Sequence, residues 1–125
     1  MAEPVRLRRR LLAFALGLPG AYEDHPWGDE SVAKVNGKIF VFFGMGEDSR
    51  TIAIAVKLDD SQEQALMVFG ASPTGYGLGR AGWVTVPFHD TTPPPAVLKD
   101  WVEESYRRVA PKRLVAELDA RPLRR

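Results

Sequence analysis

The chain has 125 residues, of which 45% are hydrophobic and 26% charged, and none is a cysteine. This length and composition are typical of one globular domain with a buried core, and they exclude a disordered protein, a disulfide framework and a thiolate metal site. The net charge is only +1. We therefore expect one domain over residues 1–125 rather than separate nucleotide and substrate domains.

The charges are unevenly distributed along the chain. Residues 1–18 and 94–125 together contain twelve Lys or Arg against six acids, whereas residues 19–93 contain five against ten. The acidic middle argues against a uniformly basic nucleic-acid clamp, but the two basic ends can form one positive face. Ordinary solvated helix surfaces are the alternative interpretation.

The first predicted element is an amphipathic helix from Pro4 to about Leu18. Leu7 and Leu11 recur at helical spacing, and Arg9 and Arg10 lie on the opposite side. An arginine cluster followed by a short apolar run also begins secretory signals, but no small-residue cleavage site follows here. We expect a helix packed on the core of a cytoplasmic protein.

The next predicted element is a β-hairpin. Asn36-Gly37 separates two β-prone runs, Ser31–Val35 and Lys38–Phe43, and both turn residues tolerate the positive φ of a type I′ turn. Strict alternation in the second run places Phe40 and Phe42 on a second apolar face. That face needs a cover, and a second copy of the chain, another protein or a small ligand would supply one.

The middle of the chain adds strands and a short helix. Residues 51–58 alternate as a half-buried antiparallel strand does. Ser61 to Gln64 has the form of a capping box, which predicts a helix to about Phe69. A glycine-rich loop over residues 70–82 then leads into the strand Trp83–Phe88.

The end of the chain is predicted to be helical. Thr92 suits a helix cap and Pro93 the first helical position, an apolar stripe runs to Val109, and a second short helix follows Pro111. The order of elements predicts an α+β two-layer sandwich, in which a mostly antiparallel sheet of about five strands packs against the N-terminal helix and the C-terminal helices.

Gly77, Gly79 and Gly82 match the G-x-G-x-x-G spacing of dinucleotide-binding loops. Such a loop requires a strand before the glycines and a helix after them, so that the helix N-terminus faces the phosphates. Here the glycines follow a loop and precede a strand. We therefore predict a tight turn before Trp83, and no cofactor.

The chain offers little that is typical of a catalytic or metal site. His25 and His89 each adjoin an aspartate, Asp24 and Asp90, but no H-x-x-x-H spacing or nucleophile elbow accompanies them. Loop histidines are the simpler interpretation. We predict no catalytic residues and no metal ligands.

Cations and aromatic residues indicate a second kind of site. Trp27 and Tyr76 lie in loops, and aromatic rings beside cations can stack bases and bind phosphates. Trp27 and Trp83 plugging the edges of the core is the alternative. The predicted nucleic-acid-binding residues are Lys38, Lys57, Arg80, Trp83, Arg9 and Arg10.

Several stretches of this chain resemble one family. LPGAYEDHPWGDESVAKVNGKIFVFF, AVKL, GWVTV and WVEESYRRVAPKRL are similar to the MmcQ/YjbR family of small bacterial proteins, over roughly Leu7 to Leu118. The most specific pieces contain Lys38, Lys57, Gly82-Trp83 and Ser105-Tyr106. The resemblance implies a compact α+β sandwich similar to the frataxin and secretion-chaperone folds, and the family is commonly labelled DNA-binding.

One branch of that family differs in the segment before the tryptophan, which there reads like Y-H-L-N-K-x-H-W-N. Here Tyr76 to Trp83 lacks both histidines and the asparagines, and only Arg80 keeps the basic character of the lysine. The frataxin likeness would imply iron on an acidic helical ridge, which the Arg-rich first helix argues against.

We predict a non-enzymatic protein that binds nucleic acid, with DNA as the expected partner and no membrane partner. The alternative is a protein-binding or small-ligand-binding module, with a homodimer as one version of it. A hydrolase or metal-binding protein around His25 and Asp24 or His89 and Asp90 is the least favoured hypothesis.

Overall fold

A computed structural model describes residues 3–46 and 50–122 of the chain. Within them are four α-helices, six strands and one 3-10 helix. No helix in these two ranges is both long and apolar enough to span a bilayer. In chain order the elements are α1 (Pro4–Leu16), β1 (Ala21–Asp24), β2 (Ser31–Val35), β3 (Lys38–Met45), β4 (Ile52–Lys57), α2 (Gln62–Leu66), β5 (Ser72–Pro73), the 3-10 helix (Leu78–Ala81), β6 (Trp83–Pro87), α3 (Pro95–Val109) and α4 (Lys112–Asp119).

The strands form a single sheet in the order β1-β2-β3-β4-β6-β5, and every neighbouring pair is antiparallel. Helices α1 and α3 pack on one face of this sheet. The predicted α+β sandwich is confirmed, with six strands in the described part of the chain instead of about five. Four strands are given residue ranges from the sequence, and those ranges leave out β1 and β5, which have four and two residues and are too short for alternation to be recognised.

The Asn36-Gly37 turn joins β2 and β3 as its dipeptide predicts. Asn36 has a φ of 52° and Gly37 a φ of 81°. Both values lie in the left-handed region that a type I′ turn requires, and Val35 pairs with Lys38 across it. The turn therefore sets the register in which β3 enters the sheet.

A β-bulge changes the alternation of β3. Ala33 pairs with Val41 and Lys34 with Ile39, so that Phe40 is the extra residue between the two pairs. Phe40 is fully buried, and its ring meets that of Tyr106 edge-on at 5.3 Å. The prediction that Phe40 and Phe42 share a face is wrong, because the bulge returns Phe40 to the core side.

The main core lies between the sheet and the helices. Its sheet residues alternate along each strand, and their partners across neighbouring strands face the same way. Helices α1 and α3 supply the other half of this core, and α2 and α4 each add one buried residue. Core members include Val41, Phe43, Ile54, Val56, Val84 and Val86 from the strands, and Leu7, Leu11, Leu98, Trp101 and Val102 from the helices.

Two polar side chains of α3 attach the helical layer to the sheet. The buried Ser105 hydroxyl donates to the Phe40 carbonyl and accepts from the Lys57 amide at 2.8 Å. The Tyr106 hydroxyl donates to the Pro19 carbonyl at 2.6 Å, and burial raises its pKa, which keeps it protonated as a donor. Ser105 thus supplies both hydrogen bonds at the bulge, where β3 and β4 stop pairing with each other.

The predicted capping box at Ser61 is wrong. Ser61 makes no side-chain cap bond to α2, and its hydroxyl instead donates to Glu104 at 2.7 Å. The helix also ends at Leu66 rather than near Phe69. Glu104 on α3 has replaced the local cap bond, because a hydrogen bond to an ionised carboxylate is stronger than the neutral bond that the Ser61 hydroxyl would accept from a backbone amide.

The predicted start of α3 is displaced by two residues. The helix begins at Pro95 rather than Pro93. Thr92 does not cap it, because the Thr92 hydroxyl donates to the Pro87 carbonyl and accepts from the His89 amide, both at 2.8 Å. Thr92 therefore closes the turn after β6. The prediction that a proline occupies the first turn of this helix is confirmed, with Pro95 in place of Pro93.

We predict that Ser105→Ala lowers the free energy of unfolding by about 1–3 kcal/mol, because it leaves the Phe40 carbonyl and the Lys57 amide buried without partners. Ser72→Ala is the matched control. The Ser72 hydroxyl is buried and has no hydrogen-bond partner in the part of the chain that the structure covers, so its removal is expected to be neutral or stabilising. Urea unfolding measures both, and equal losses would contradict the assignment.

Candidate nucleic-acid interface

The sheet face turned away from the main core is the candidate interface. Phe42 pairs with Ala55 and Ala55 with Thr85, while Lys57 pairs with Trp83. The alternating neighbours of these residues point into the main core, and the buried residues of the helices belong to that core too. We call the side that contains Phe42, Ala55 and Trp83 the open face.

Three rings form an aromatic strip across the open face. Trp27 stacks on Phe42 with centroids 6.1 Å apart and an interplanar angle of 18°, and Phe42 meets Trp83 at 5.2 Å and 67°. Phe42 and Trp83 belong to strands on either side of β4, and the small side chain of Ala55 between them allows the rings to touch. Trp83 is 7% exposed but Trp27 is 63% exposed, so only Trp83 plugs the fold.

The structure brings Lys38, Lys57, Arg80 and Trp83 to one end of the sheet. Lys38 begins β3, Lys57 ends β4, and Arg80 lies in the 3-10 helix that leads into Trp83 at the start of β6. The side chain of Lys38 points to the helical side of the sheet at its edge, since its partner Val35 faces the core. We call this the basic end.

The cations of the basic end are free of ion pairs within residues 3–46 and 50–122. The described ion pairs involve none of the Lys38, Lys57 and Arg80 side chains. Lys38 and Arg80 are exposed, and Lys57 is half-buried beside Trp83. Their positive charges are therefore available to an anionic ligand.

The other end of the open face is acidic. Lys34 of β2, close to the Asn36-Gly37 turn, is bound by Asp24 of β1 at 2.7 Å, so these two charges neutralise each other at the β1 side of the face; this hydrogen bond raises the pKa of the Lys34 ammonium and lowers that of the Asp24 carboxyl. A Cβ placed at Gly44 would lie 3.4 Å from the Glu30 carboxylate, which covers this part of the sheet. The charge along the strands therefore changes from positive to negative.

Arg9 and Arg10 lie on the opposite side of the molecule. Leu7, Leu11 and Ala15 turn one side of α1 into the core, and both arginines are exposed on the other side. The helical layer and the sheet separate them from Lys57 and Trp83. The structure does not bring the two predicted groups of cations together.

The glycine motif shapes the approach to Trp83. Gly77 and Gly82 have φ values of 78° and 98°, which favour glycine. A Cβ on Gly82 would lie 2.5 Å from the Leu58 carbonyl oxygen. The chain runs from the 3-10 helix into a strand, the reverse of the order in a dinucleotide loop. These glycines allow the tight turn that the sequence predicts.

The two histidines lie apart. His25 follows β1, with its Nε2 3.2 Å from Glu23, and His89 follows β6, with β2, β3 and β4 between the two strands. His89 Nδ1 accepts from the Thr91 amide at 3.1 Å, which leaves Nε2 to donate to the Phe69 carbonyl. In the described ranges, no three His, Asp or Glu side chains gather as a metal site would.

Glu104 is a residue of the site that sequence reasoning missed. Its carboxylate accepts from the Asp59 amide at 2.7 Å and from the Ser61 amide at 3.2 Å, in the turn directly after Lys57. Partial burial raises the pKa of Glu104, but the hydrogen bonds from Asp59 and Ser61 and the charge of Arg108 bring it below its ordinary value. No sequence signal links residues so far apart in the chain.

The fold defines the protein as a small α+β sandwich. Among the described residues, the α-helices pack on one side of the antiparallel sheet and none packs on the open face. The sequence pattern of the YjbR family matches residues 16–108, about three quarters of the chain. The chain belongs to the YjbR family. The matched region runs from the end of α1 to the end of α3, and it contains the aromatic strip, the basic end and Ser105. No curated protein matches the sequence.

We predict that Gly82→Ala costs at least about 1–3 kcal/mol of stability, since alanine would have to adopt a positive φ and its Cβ would collide with the Leu58 carbonyl. Gly75→Ala is the control, because no described atom lies within 4 Å of a Cβ there and its φ is outside the positive range. Thermal unfolding compares the two. A Gly82→Ala protein as stable as Gly75→Ala would contradict the tight approach.

The lowered pKa of Glu104 predicts an acid dependence. The ionised carboxylate stabilises the folded state above its ordinary pKa of 4.5, and this stabilisation is lost as the pH falls through the lowered folded-state value. Glu104→Gln should therefore reduce stability at neutral pH and flatten its decline below 4.5. Urea unfolding as a function of pH tests this, with Glu63→Gln, an exposed change on α2, as control. Parallel curves for wild type and Glu104→Gln would disprove it.

Proposed function

We propose that this YjbR-family protein binds nucleic acid, with DNA as the first expected partner, through the basic end and the open face, and that it does so without catalysing a reaction. The observation that carries the proposal is that Lys57 and Arg80, with Lys38 at the rim, are free of described ion pairs and lie at the end of the sheet where the aromatic strip ends at Trp83. Phosphates and bases together match this combination of charge and flat apolar surface.

The basic end supplies the electrostatic part of the binding. Lys38, Lys57 and Arg80 come from three different elements, and strand pairing and the glycine turn hold their backbones at one end of the sheet. Such contacts release counterions from the nucleic acid, so the affinity must fall as the salt concentration rises. Three cations support a short phosphate track, in keeping with the acidic far end of the same face.

The aromatic strip supplies the apolar part. Trp27 presents an exposed ring beside Phe42, and rings on a sheet surface are suited to stack on bases. The Trp27 ring is favoured as a contact because it is largely exposed and therefore contributes little to the stability of the fold. Trp83, which is largely buried, supports the strip from below.

A second copy of the chain is the alternative occupant of the open face. The exposed Trp27 and the half-buried Phe42 give this face an apolar centre between a basic and an acidic end. Two copies related by a two-fold axis would place opposite charges together. Light scattering that reports a dimer, and a monomer after Trp27→Ala, would favour this alternative over nucleic acid.

We predict that Lys57→Ala with Arg80→Ala weakens binding to DNA and reduces the slope of log affinity against log salt by about 2, one for each lost phosphate contact. Fluorescence anisotropy with labelled single-stranded and duplex DNA measures this at low and moderate salt.

Arg9→Ala with Arg10→Ala is the matched control for that experiment, since it removes the same number of cations from the far side of the molecule. Its slope should stay at the wild-type value. The assignment of the basic end fails if the Arg9 and Arg10 variant loses the larger part of the slope. The nucleic-acid proposal itself fails if neither DNA binds the wild-type protein at micromolar concentrations and low salt.

A further inference from the structure

Two exposed aromatic rings border the open face on opposite sides. Trp27 stands over Phe42 on the side of β3, and Tyr76 lies in the loop beyond β6 on the other side. Thr74, which begins that loop, meets Thr85 of the open face through their hydroxyls at 3.0 Å. Tyr76 therefore belongs to the border of the same face.

The conformation of Tyr76 is costly for the fold. Its φ is 60°, in the left-handed region, and glycines precede and follow it. Its side chain is fully exposed, with a relative exposure of 105%. Glycine would adopt this φ without strain. The ring thus gives no burial to the fold in return for a strained backbone, which is the pattern of a residue kept for contact with a ligand.

The strand order places Lys57 between Phe42, which lies under Trp27, and the loop that carries Tyr76. Arg80 is four positions after Tyr76 in the same loop, and Lys57 faces the open side across from Trp83, next to the strip that ends at Trp27. A chain that crosses the strands from Tyr76 to Trp27 passes these two cations on its way.

We infer that the open face selects unpaired nucleotides: a single strand crosses the sheet with bases stacked on Trp27 and Tyr76 and its phosphates held by Lys57 and Arg80. This inference rests on the proposed nucleic-acid function and adds the class of ligand. The faces of paired bases are covered by their neighbours in a duplex, so a stacking ring requires an unpaired base. The Glu30 carboxylate beside Gly44 also repels a phosphate track that continues along the strands past Phe42.

Fluorescence anisotropy tests the selectivity with three probes: an oligothymidylate of about ten nucleotides, within the usual site sizes for single strands, an oligouridylate of the same length, and a duplex of that length. We expect at least about tenfold tighter binding of a single strand than of the duplex. The two single strands distinguish DNA from RNA as the source of the unpaired bases.

Variants of the two rings test the mechanism. Trp27→Ala and Tyr76→Gly should each weaken single-strand binding about 5- to 150-fold, the range for one stacked base, with little effect on the duplex. Tyr76→Gly should leave the Tm unchanged or higher, since it removes the strained residue, so its loss of binding cannot come from unfolding. Trp27→Phe should retain part of the affinity.

Tryptophan fluorescence gives an independent readout. Trp83 and Trp101 are 7% and 2% exposed, whereas Trp27 is 63% exposed, so quenching on addition of a single strand should disappear in Trp27→Phe. Equal affinity for single strand and duplex, or ring variants that weaken both alike, would overturn the inference and leave the nucleic-acid function standing. Failure of all three probes to bind would reject that function and this inference together.

Discussion

The Ser105 hydroxyl is the contact on which the arrangement of the sheet depends. At the bulge, β3 and β4 stop pairing with each other, and a buried carbonyl and a buried amide would be left without partners. Ser105 bonds to both, the Phe40 carbonyl and the Lys57 amide. Because unpaired buried polar groups are costly, a bulge at this position requires a group of this kind from the helical layer. α3 is therefore held at one position along the sheet.

The open face follows from the same contact. The bulge turns Phe40 into the core, where it meets Tyr106, and leaves Phe42 on the far side of the sheet. Phe42 then lies diagonally across Ala55 from Trp83, and Trp27 covers it from the β1–β2 loop. Ser105 also holds the Lys57 backbone at the basic end, and Glu104, one residue earlier on α3, holds the turn that follows it. Two neighbouring residues of α3 thus position Lys57 at the basic end and the turn that follows it.

Several elements could be predicted from the sequence because local chemistry decides them. The Asn36-Gly37 turn, the apolar stripes of α1 and α3, and the apolar face of β4 all express the preferences of nearby residues. The prediction that β4 is half-buried is wrong, because Ala53 and Ala55 on its other face are buried too. The two errors at helix caps share one cause. Ser61 and Thr92 resemble caps, but each hydroxyl bonds to a group elsewhere, Glu104 in one case and the Pro87 carbonyl in the other. A local pattern cannot reveal a competing partner that the folded chain supplies.

By itself, the sequence determined the α+β class, the family resemblance, the residue types of the candidate site, and the order of the elements other than β1, β5 and the 3-10 helix, since spacing, turn chemistry and charge are local properties. Only the tertiary structure decided that Lys38, Lys57, Arg80 and Trp83 meet at one end of the sheet while Arg9 and Arg10 lie behind it. It also decided that Phe40 is core and Phe42 surface, because one extra residue in β3 reverses the alternation. Which side chains share a face depends on register, and register is set by partners that are distant in the chain.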